Sequence, residues 1–148
     1  MQVNRTQPLL FNSKQNRCFS NFHPCVVRLG GYSWLNNEAA YQCIKHENWR
    51  FLVDQWQVAG WKAKEMSKTI DVRPDWEQIK VQVMTMLIEA KFKNPVMRYE
   101  LLETGDQELI HYAPWDEFWG TGRKNLGRNM LGELLMAHRA YLMPICRG

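Results

Sequence analysis

Arg73-Pro74-Asp75-Trp76-Glu77-Gln78-Ile79-Lys80-Val81-Gln82-Val83-Met84-Thr85-Met86-Leu87-Ile88-Glu89-Ala90 carries the plainest structural signal in the chain. Pro74 suits a first helical turn, because its fixed φ is already helical and its missing N–H would find no partner there. Ile79, Val83, Met86, Leu87 and Ala90 follow at the spacing that forms one stripe of an α-helix. The helix should stop at Asn94-Pro95, since the residue before a proline is pushed out of the helical region.

Downstream, Val96–Leu102 reads as a short helix closed by Gly105, Leu109–Tyr112 as extended chain and residues 114–128 as loop. Asn129 caps a last helix with Met130, Leu134, His138 and Tyr141 along one side. Upstream, the β-rich runs Val26–Leu29 and Tyr32–Leu35 flank Gly30-Gly31, a hairpin signal. Asn36 or Asn37 then offers an N-cap to a helix over Glu38–Lys45. Phe51–Met66 continues in helical style, with Leu52, Trp56 and Ala59 near one face and Gly60 as its weak point. The expected fold is mainly α: a compact multihelical single domain over residues 1–148, with a small N-terminal β-hairpin and no repeat or linker.

The 148 residues suffice for one domain, and 45% hydrophobic with 23% charged residues excludes a disordered or low-complexity chain. A net charge of +4 is a mild bias towards anionic partners, too weak to name nucleic acid on its own. Arg123, Lys124 and Arg128 are its one local cluster. Cys18, Cys25, Cys43 and Cys146 form no CxxC pair and the N-terminus lacks signal-peptide order, so reduced thiols and a cytoplasmic location are expected. No apolar run reaches the ~20 residues that cross a bilayer. His23, His46, His111 and His138 are dispersed without zinc-site spacing, so neither a metal nor a cofactor is expected. Seven Trp, five Tyr and six Phe are more than a small core requires, which raises the prospect of an aromatic binding surface.

Three stretches concentrate chemistry. Glu38, Tyr41, Gln42 and Lys45 fall on one face of their helix, a carboxylate, phenol, amide and ammonium in line. The plainer alternative is a solvated face with Glu38 serving the helix dipole. Ala113-Pro114-Trp115-Asp116-Glu117-Phe118-Trp119-Gly120-Thr121-Gly122 surrounds two acids with large aromatics, able to stack a heteroaromatic ring beside a carboxylate. Against that stands the reading in which Trp115 and Trp119 only close the core over a long loop. Gly122 to Gly127 has P-loop spacing, but Arg128-Asn129 stands where Lys and Ser or Thr are required, which excludes a nucleotide triphosphatase. Glycine-freed amides and the last helix's N-terminus remain a phosphate-binding idea, weighed against ordinary turn and cap chemistry.

Read in order after Phe19-Ser20-Asn21-Phe22, these stretches resemble the NADAR family, also called YbiA-like. The resemblance runs from Phe11 through Ser20-Asn21-Phe22, Glu38-x-x-Tyr41-Gln42-x-x-Lys45, Asp75-Trp76, Lys91-Phe92 and Leu101-Leu102-x-Thr104-Gly105-Asp106. It continues through Asp116-x-x-Trp119-Gly120 to Asn129-x-Leu131-Gly132-x-Leu134-Leu135-Met136. It implies a mostly helical domain that cleaves N-glycosidic bonds to ribose, some members acting on phosphorylated riboflavin intermediates and others on ADP-ribosylated guanine in nucleic acid. By motif it puts Glu38, Trp76, Asp116 and Trp119 in the active site, with Ser20, Asn21, Phe22, Tyr41, Lys45, Gly120 and Asn129 around them. One position departs from the pattern: His111 follows the extended run where the family often carries an acid.

These residue types suit the reaction, because breaking a ribosyl C–N bond builds positive charge on the sugar while the departing base needs a proton and a surface. Glu38 and Asp116 are expected to divide charge stabilisation and water activation, with Trp76 and Trp119 as walls. Lys45 either orients Glu38 as an ion pair or captures the opened ribose aldehyde as an imine. The expected partner is a ribosylated or ADP-ribosylated substrate, free or within nucleic acid, with no membrane and an open number of subunits. The competing expectations are a non-catalytic ADP-ribose or nucleotide binder and a nucleic-acid-binding module. Trp34, Trp49, Trp56 and Trp61 are read as packing, and Trp115 as a weaker addition to the site.

Overall fold

The computed structural model describes residues 6–147, with side chains through residue 144, so the Cys146 thiol lies outside the described part. The elements are β1 (Leu9–Phe11), β2 (Val27–Leu29), β3 (Tyr32–Trp34), α1 (Asn37–Ile44), α2 (Gly60–Met66), α3 (Trp76–Lys91), α4 (Pro95–Glu103), β4 (Leu109–His111) and α5 (Met130–Arg147). Short 3-10 turns lie at Arg17–Phe19, Trp49–Phe51, Val53–Trp56 and Ser67–Thr69. The chain is mainly helical, as expected. It divides into two compact units: Asn21–Asn94, and the residues up to Ser20 together with those from Pro95 onward.

In the Asn21–Asn94 unit, β2 and β3 form the expected antiparallel hairpin, pairing Val27 with Trp34 and Leu29 with Tyr32. Gly30 and Gly31 both have positive φ, 59° and 87°, as a two-residue turn matched to strand twist requires. Asn36 is the N-cap of α1: its side chain accepts the Ala39 N–H at 2.7 Å. The continuous helical reading of Phe51–Met66 is corrected. Two 3-10 turns end at Trp56, Ala59 is extended, and Gly60 opens α2 rather than weakening its middle. A side chain at Gly60 would press on Phe22, which keeps the position small.

The long helix starts later and faces differently than the apolar stripe suggested. Pro74 lies in the turn before α3, closed by Trp76 N–H to Arg73 O at 3.2 Å. The buried residues are Trp76, Val83, Met84, Leu87, Ile88 and Lys91, whereas Met86 is exposed. The helix ends at Lys91, and turns through Phe92, Lys93 and Asn94 satisfy its last carbonyls before Pro95. Helix α1 packs against both α2 and α3, and α3 also covers β2. Trp34 and Leu87 are wholly buried, each burial stabilising by about 1.5–3 kcal/mol.

The other unit holds a sheet that periodicity missed. β1 and β4 pair in parallel, Leu9 with Leu109 and Phe11 with His111. Pro95 is the first residue of α4, one earlier than expected, and Gly105 at φ 61° closes it through its N–H to Leu102 O. The expected stripe of α5 is corrected: Leu131, Leu135, Arg139 and Leu142 are buried, while Tyr141 is exposed. Arg139 Nη1 donates to Thr104 Oγ1 at 2.8 Å and Gln107 O at 2.7 Å, which offsets the cost of burying its charge. No helix among the described residues is long and apolar enough to cross a membrane. Among the described residues no cluster of His, Cys, Asp or Glu is placed to hold a metal ion, and Cys25 and Cys43 are free thiols.

Candidate active site

Helix α1 places the first group of candidates. Its N-terminus is held twice, by the Asn36 cap and by Asn21 O, which accepts the Glu38 N–H at 2.9 Å. Asn21, within the Ser20-Asn21-Phe22 motif, thus fixes Glu38 through the main chain. Asn21 Nδ2 also reaches Met84 Sδ at 3.6 Å. All eight residues of α1 are buried, which removes the reading of a solvated face. The Glu38 carboxylate, 8% exposed, accepts the Gln42 Nε2–H at 2.7 Å one turn later. Because that bond fixes which end of the amide donates, Gln42 Oε1 is left buried without a partner among the described residues.

Lys45 follows at the C-terminal end of α1. Its Nζ lies 5.2 Å from the Tyr41 ring centre and 5.8 Å from that of Trp76, and those rings are 4.9 Å apart at 60°. The Lys45 carbonyl accepts the Arg73 N–H at 2.8 Å, which draws the start of α3, and so Trp76, against the end of α1. Arg73 forks onto Asp75 at 2.6 and 3.1 Å in the same turn. Burial pulls the Lys45 ammonium below the usual lysine range, and the nearby Glu38 charge works against that pull. The structure therefore brings Glu38, Tyr41, Lys45 and Trp76 together. Gln42 lay on the predicted face but outside the predicted site, and its i, i+4 position from Glu38 is the signal that could have included it.

The second group sits on the loop after β4 and is built by its main chain. Asp116 Oδ1 accepts the N–H groups of Phe118 at 3.0 Å and Trp119 at 2.8 Å, folding the loop round its own carboxylate. Its Oδ2 has no hydrogen-bond partner among the described residues. Trp119 O accepts the Leu131 N–H at 3.2 Å and lies 3.1 Å from His111 Nδ1. A Cβ at Gly120 would lie 2.7 Å from that of Ala113, so glycine is needed for close packing before any contact with substrate. Trp115 is 69% exposed and does not close the core.

The phosphate reading of the glycine amides is corrected here. Gly122 N–H goes to Ala113 O and Asp116 O, Gly127 N–H to Thr121 O, and Arg128 N–H to Glu117 O. Asn129, Met130 and Leu131, at the start of α5, donate to Gly120 O, Phe118 O and Trp119 O. The amides that an anion would use are thus occupied by carbonyls. Asn129 stands at the helix start with φ 49°, but its side chain does not cap. It accepts the His111 N–H at 2.8 Å and donates to Leu109 O at 2.9 Å, binding α5 to β4. Ser20 is buried, with its N–H on Arg17 O at 2.9 Å. Asp116, Trp119, Gly120 and Asn129 share this unit, and Glu38, Tyr41, Lys45 and Trp76 share the other.

The NADAR domain family model matches residues 10–143. N-glycosidase YbiA of Escherichia coli is 32% identical over 130 residues, covering 84% of this chain and 80% of its own. N-glycosidase Npun_R5314 of Nostoc punctiforme is 32% identical over 129 residues, covering 82% and 83%. A riboflavin biosynthesis protein of Vibrio vulnificus is 33% identical over 147 residues, 92% of this chain but 39% of that protein. The chain therefore spans well under half the length of that relative. The solution structure of E. coli YbiA superposes with a TM-score of 0.77 at 29% identity, over 93% of this chain and 86% of that one. With the match running from β1 into α5 and taking in both groups of candidate residues, this chain belongs to the NADAR domain family.

Proposed function

We propose that this protein is an N-glycosidase, hydrolysing a ribosyl C–N bond in ADP-ribosylated guanine or in a phosphorylated ribosylamine intermediate of riboflavin synthesis. The observation that carries the reading is the buried face of α1, where Glu38 stands two turns before the C-cap Lys45 and Lys45 lies against Tyr41 and Trp76. The names of the E. coli and Nostoc relatives support the same reaction class. As the bond to the base lengthens, positive charge grows on the ribose C1′ and ring oxygen. A carboxylate held in a poorly solvated site stabilises that charge without reorganising, which suits Glu38. On the loop of the other unit Asp116 is a second candidate carboxylate, its Oδ1 occupied by the N–H groups of Phe118 and Trp119. The part-exposed Trp119 indole offers a flat apolar surface for the base, whereas Trp76 is buried against Lys45 and Tyr41.

Lys45 retains two roles. As an ammonium it orients Glu38. As an amine it adds to C1′ of the ring-opened ribose and loses water to give an imine, a role that its lowered pKa favours. Borohydride separates them: a reduced, substrate-dependent adduct that disappears in Lys45→Ala supports the imine, and turnover without an adduct excludes it. The substrate is free or part of a nucleic acid, and the free thiols of Cys25 and Cys43 accord with a cytoplasmic setting. Exposed Trp115, Arg123, Lys124 and Arg128 in the one loop between β4 and α5 favour a second reading, a nucleic-acid-binding loop, whose mark is affinity falling steeply with salt. The deciding assay is chromatography of free base released from ADP-ribosyl-guanosine and from a phosphoribosylamino-pyrimidine. Binding without release from either substrate would replace the hydrolase by a binder.

A further inference from the structure

His111 ends β4, and four contacts fix it. Its N–H donates to Asn129 Oδ1 at 2.8 Å, and its carbonyl accepts the Thr121 N–H at 3.0 Å. Its ring stacks on that of the wholly buried Phe11, centres 5.3 Å apart and planes 16° apart. Its Nδ1 lies 3.1 Å from Trp119 O. A carbonyl oxygen only accepts, so Nδ1 carries the proton in that bond, and the neutral ring is then the Nδ1–H tautomer.

The Trp119 peptide groups are thereby held from both sides. The N–H is bound by Asp116 Oδ1 at 2.8 Å, and the carbonyl by Leu131 N–H and the His111 ring. Rotamer choice follows the backbone, so clamping the main chain on both sides of Cα aims the indole. An acidic side chain in its ionised form, or an aliphatic one, at position 111 would bring no donor to that carbonyl. From this geometry we infer that His111 is a positioning residue: through its Nδ1–H it sets the Trp119 main chain, and with it the indole wall on which the substrate's base stacks. Phe11 acts one step behind, holding the imidazole in plane. The inference rests on the pocket role proposed for Trp119.

Asparagine places its amide nitrogen near the Nδ1 position and glutamine near Nε2, so His111→Asn and His111→Gln differ in reach rather than in polarity. In protein labelled with 5-fluorotryptophan, the Trp119 resonance is identified by its loss in Trp119→Phe and a reference resonance by its loss in Trp34→Phe. His111→Gln is expected to move or broaden the Trp119 resonance alone, and to raise KM about tenfold with kcat changed less than about twofold. His111→Asn is expected to restore both. Should His111→Gln not fold, His111→Leu, which has no donor, takes its place with the same expectations. An unmoved Trp119 resonance, identical behaviour of the Asn and Gln variants, or, where the wild-type enzyme releases base, an unchanged KM in His111→Gln overturns the inference. The spectra need no substrate, so a wild-type protein that releases no base removes the N-glycosidase reading and leaves the test of Trp119 positioning intact.

Discussion

The face of α1 and the loop between β4 and α5 both carry acids beside aromatics, yet they are built in opposite ways. On α1 the helix supplies the geometry, and Glu38, Tyr41, Gln42 and Lys45 meet because of where a helix puts residues three and four apart. In the loop the main chain laces to itself, and the side chain of Asp116 is part of the lacing. The difference separates two kinds of constraint. Chemistry on α1 can be altered with the backbone left in place, whereas a change in the loop strikes shape and chemistry together.

The largest expected effect tests the independence of α1. Glu38→Gln keeps an acceptor for Gln42 Nε2 but removes the charge, so base release should fall about a thousandfold with a melting temperature close to wild type. Near-full activity in a folded Glu38→Gln protein would take Glu38 out of the chemistry.

In the loop, Gly127→Ala should behave in the opposite way. Its Cβ would meet Gly120 O and the Thr121 main chain, so denaturant unfolding should show a loss of roughly 3 kcal/mol, with activity falling although residue 127 has no chemical group. Asp116→Ala should cost about 1–2 kcal/mol for the two orphaned N–H groups, whereas Asp116→Asn should recover that stability through its retained oxygen. If the Asn variant stayed as unstable as the Ala variant, the lacing role of that oxygen would be lost.

The smallest effect is a pH dependence. Below its lowered folded value Lys45 is charged in both folded and unfolded chains, and its burial opposes folding. Between that value and the ordinary 10.5, the unfolded chain holds the extra proton, so stability attributable to Lys45 rises with pH and levels off above 10.5. Urea midpoints of wild type and Lys45→Met should therefore diverge in favour of wild type as pH is raised through that window. Parallel curves would show that Lys45 is solvated in the folded protein.

Helix positions were largely legible from periodicity and caps, and the hairpin from Gly30-Gly31. The apolar stripes were not, because Lys91 and Arg139 are buried where a hydropathy pattern turns charge outward, while Met86 and Tyr141 face solvent. Arg139 is accommodated only because Thr104 and Gln107, far away in the chain, meet its guanidinium. Strand β1 is three residues with a non-local partner, too short to leave a periodic signal. Most of the α1 group could be located from spacing and family resemblance, since a helix converts sequence distance into spatial distance. The part of the loop could not, because the fates of the amides of Gly122, Gly127 and Asn129 depend on which carbonyls they meet after folding.

The parallel pairing of β1 with β4 also bears on the order in which the chain becomes structured. Leu9 meets Leu109 only after the intervening hundred residues have been made, and closing so long a loop costs about 4 kcal/mol in chain entropy. At roughly 5–20 residues per second, the Asn21–Asn94 segment leaves the ribosome seconds before β4 does. The contacts of α1 with α2 and α3 can therefore form while the first strand still lacks its neighbour. The second group of candidate residues is synthesised only as that wait ends, so Asp116 and Trp119 can take their places only after the α1 group is already in the chain.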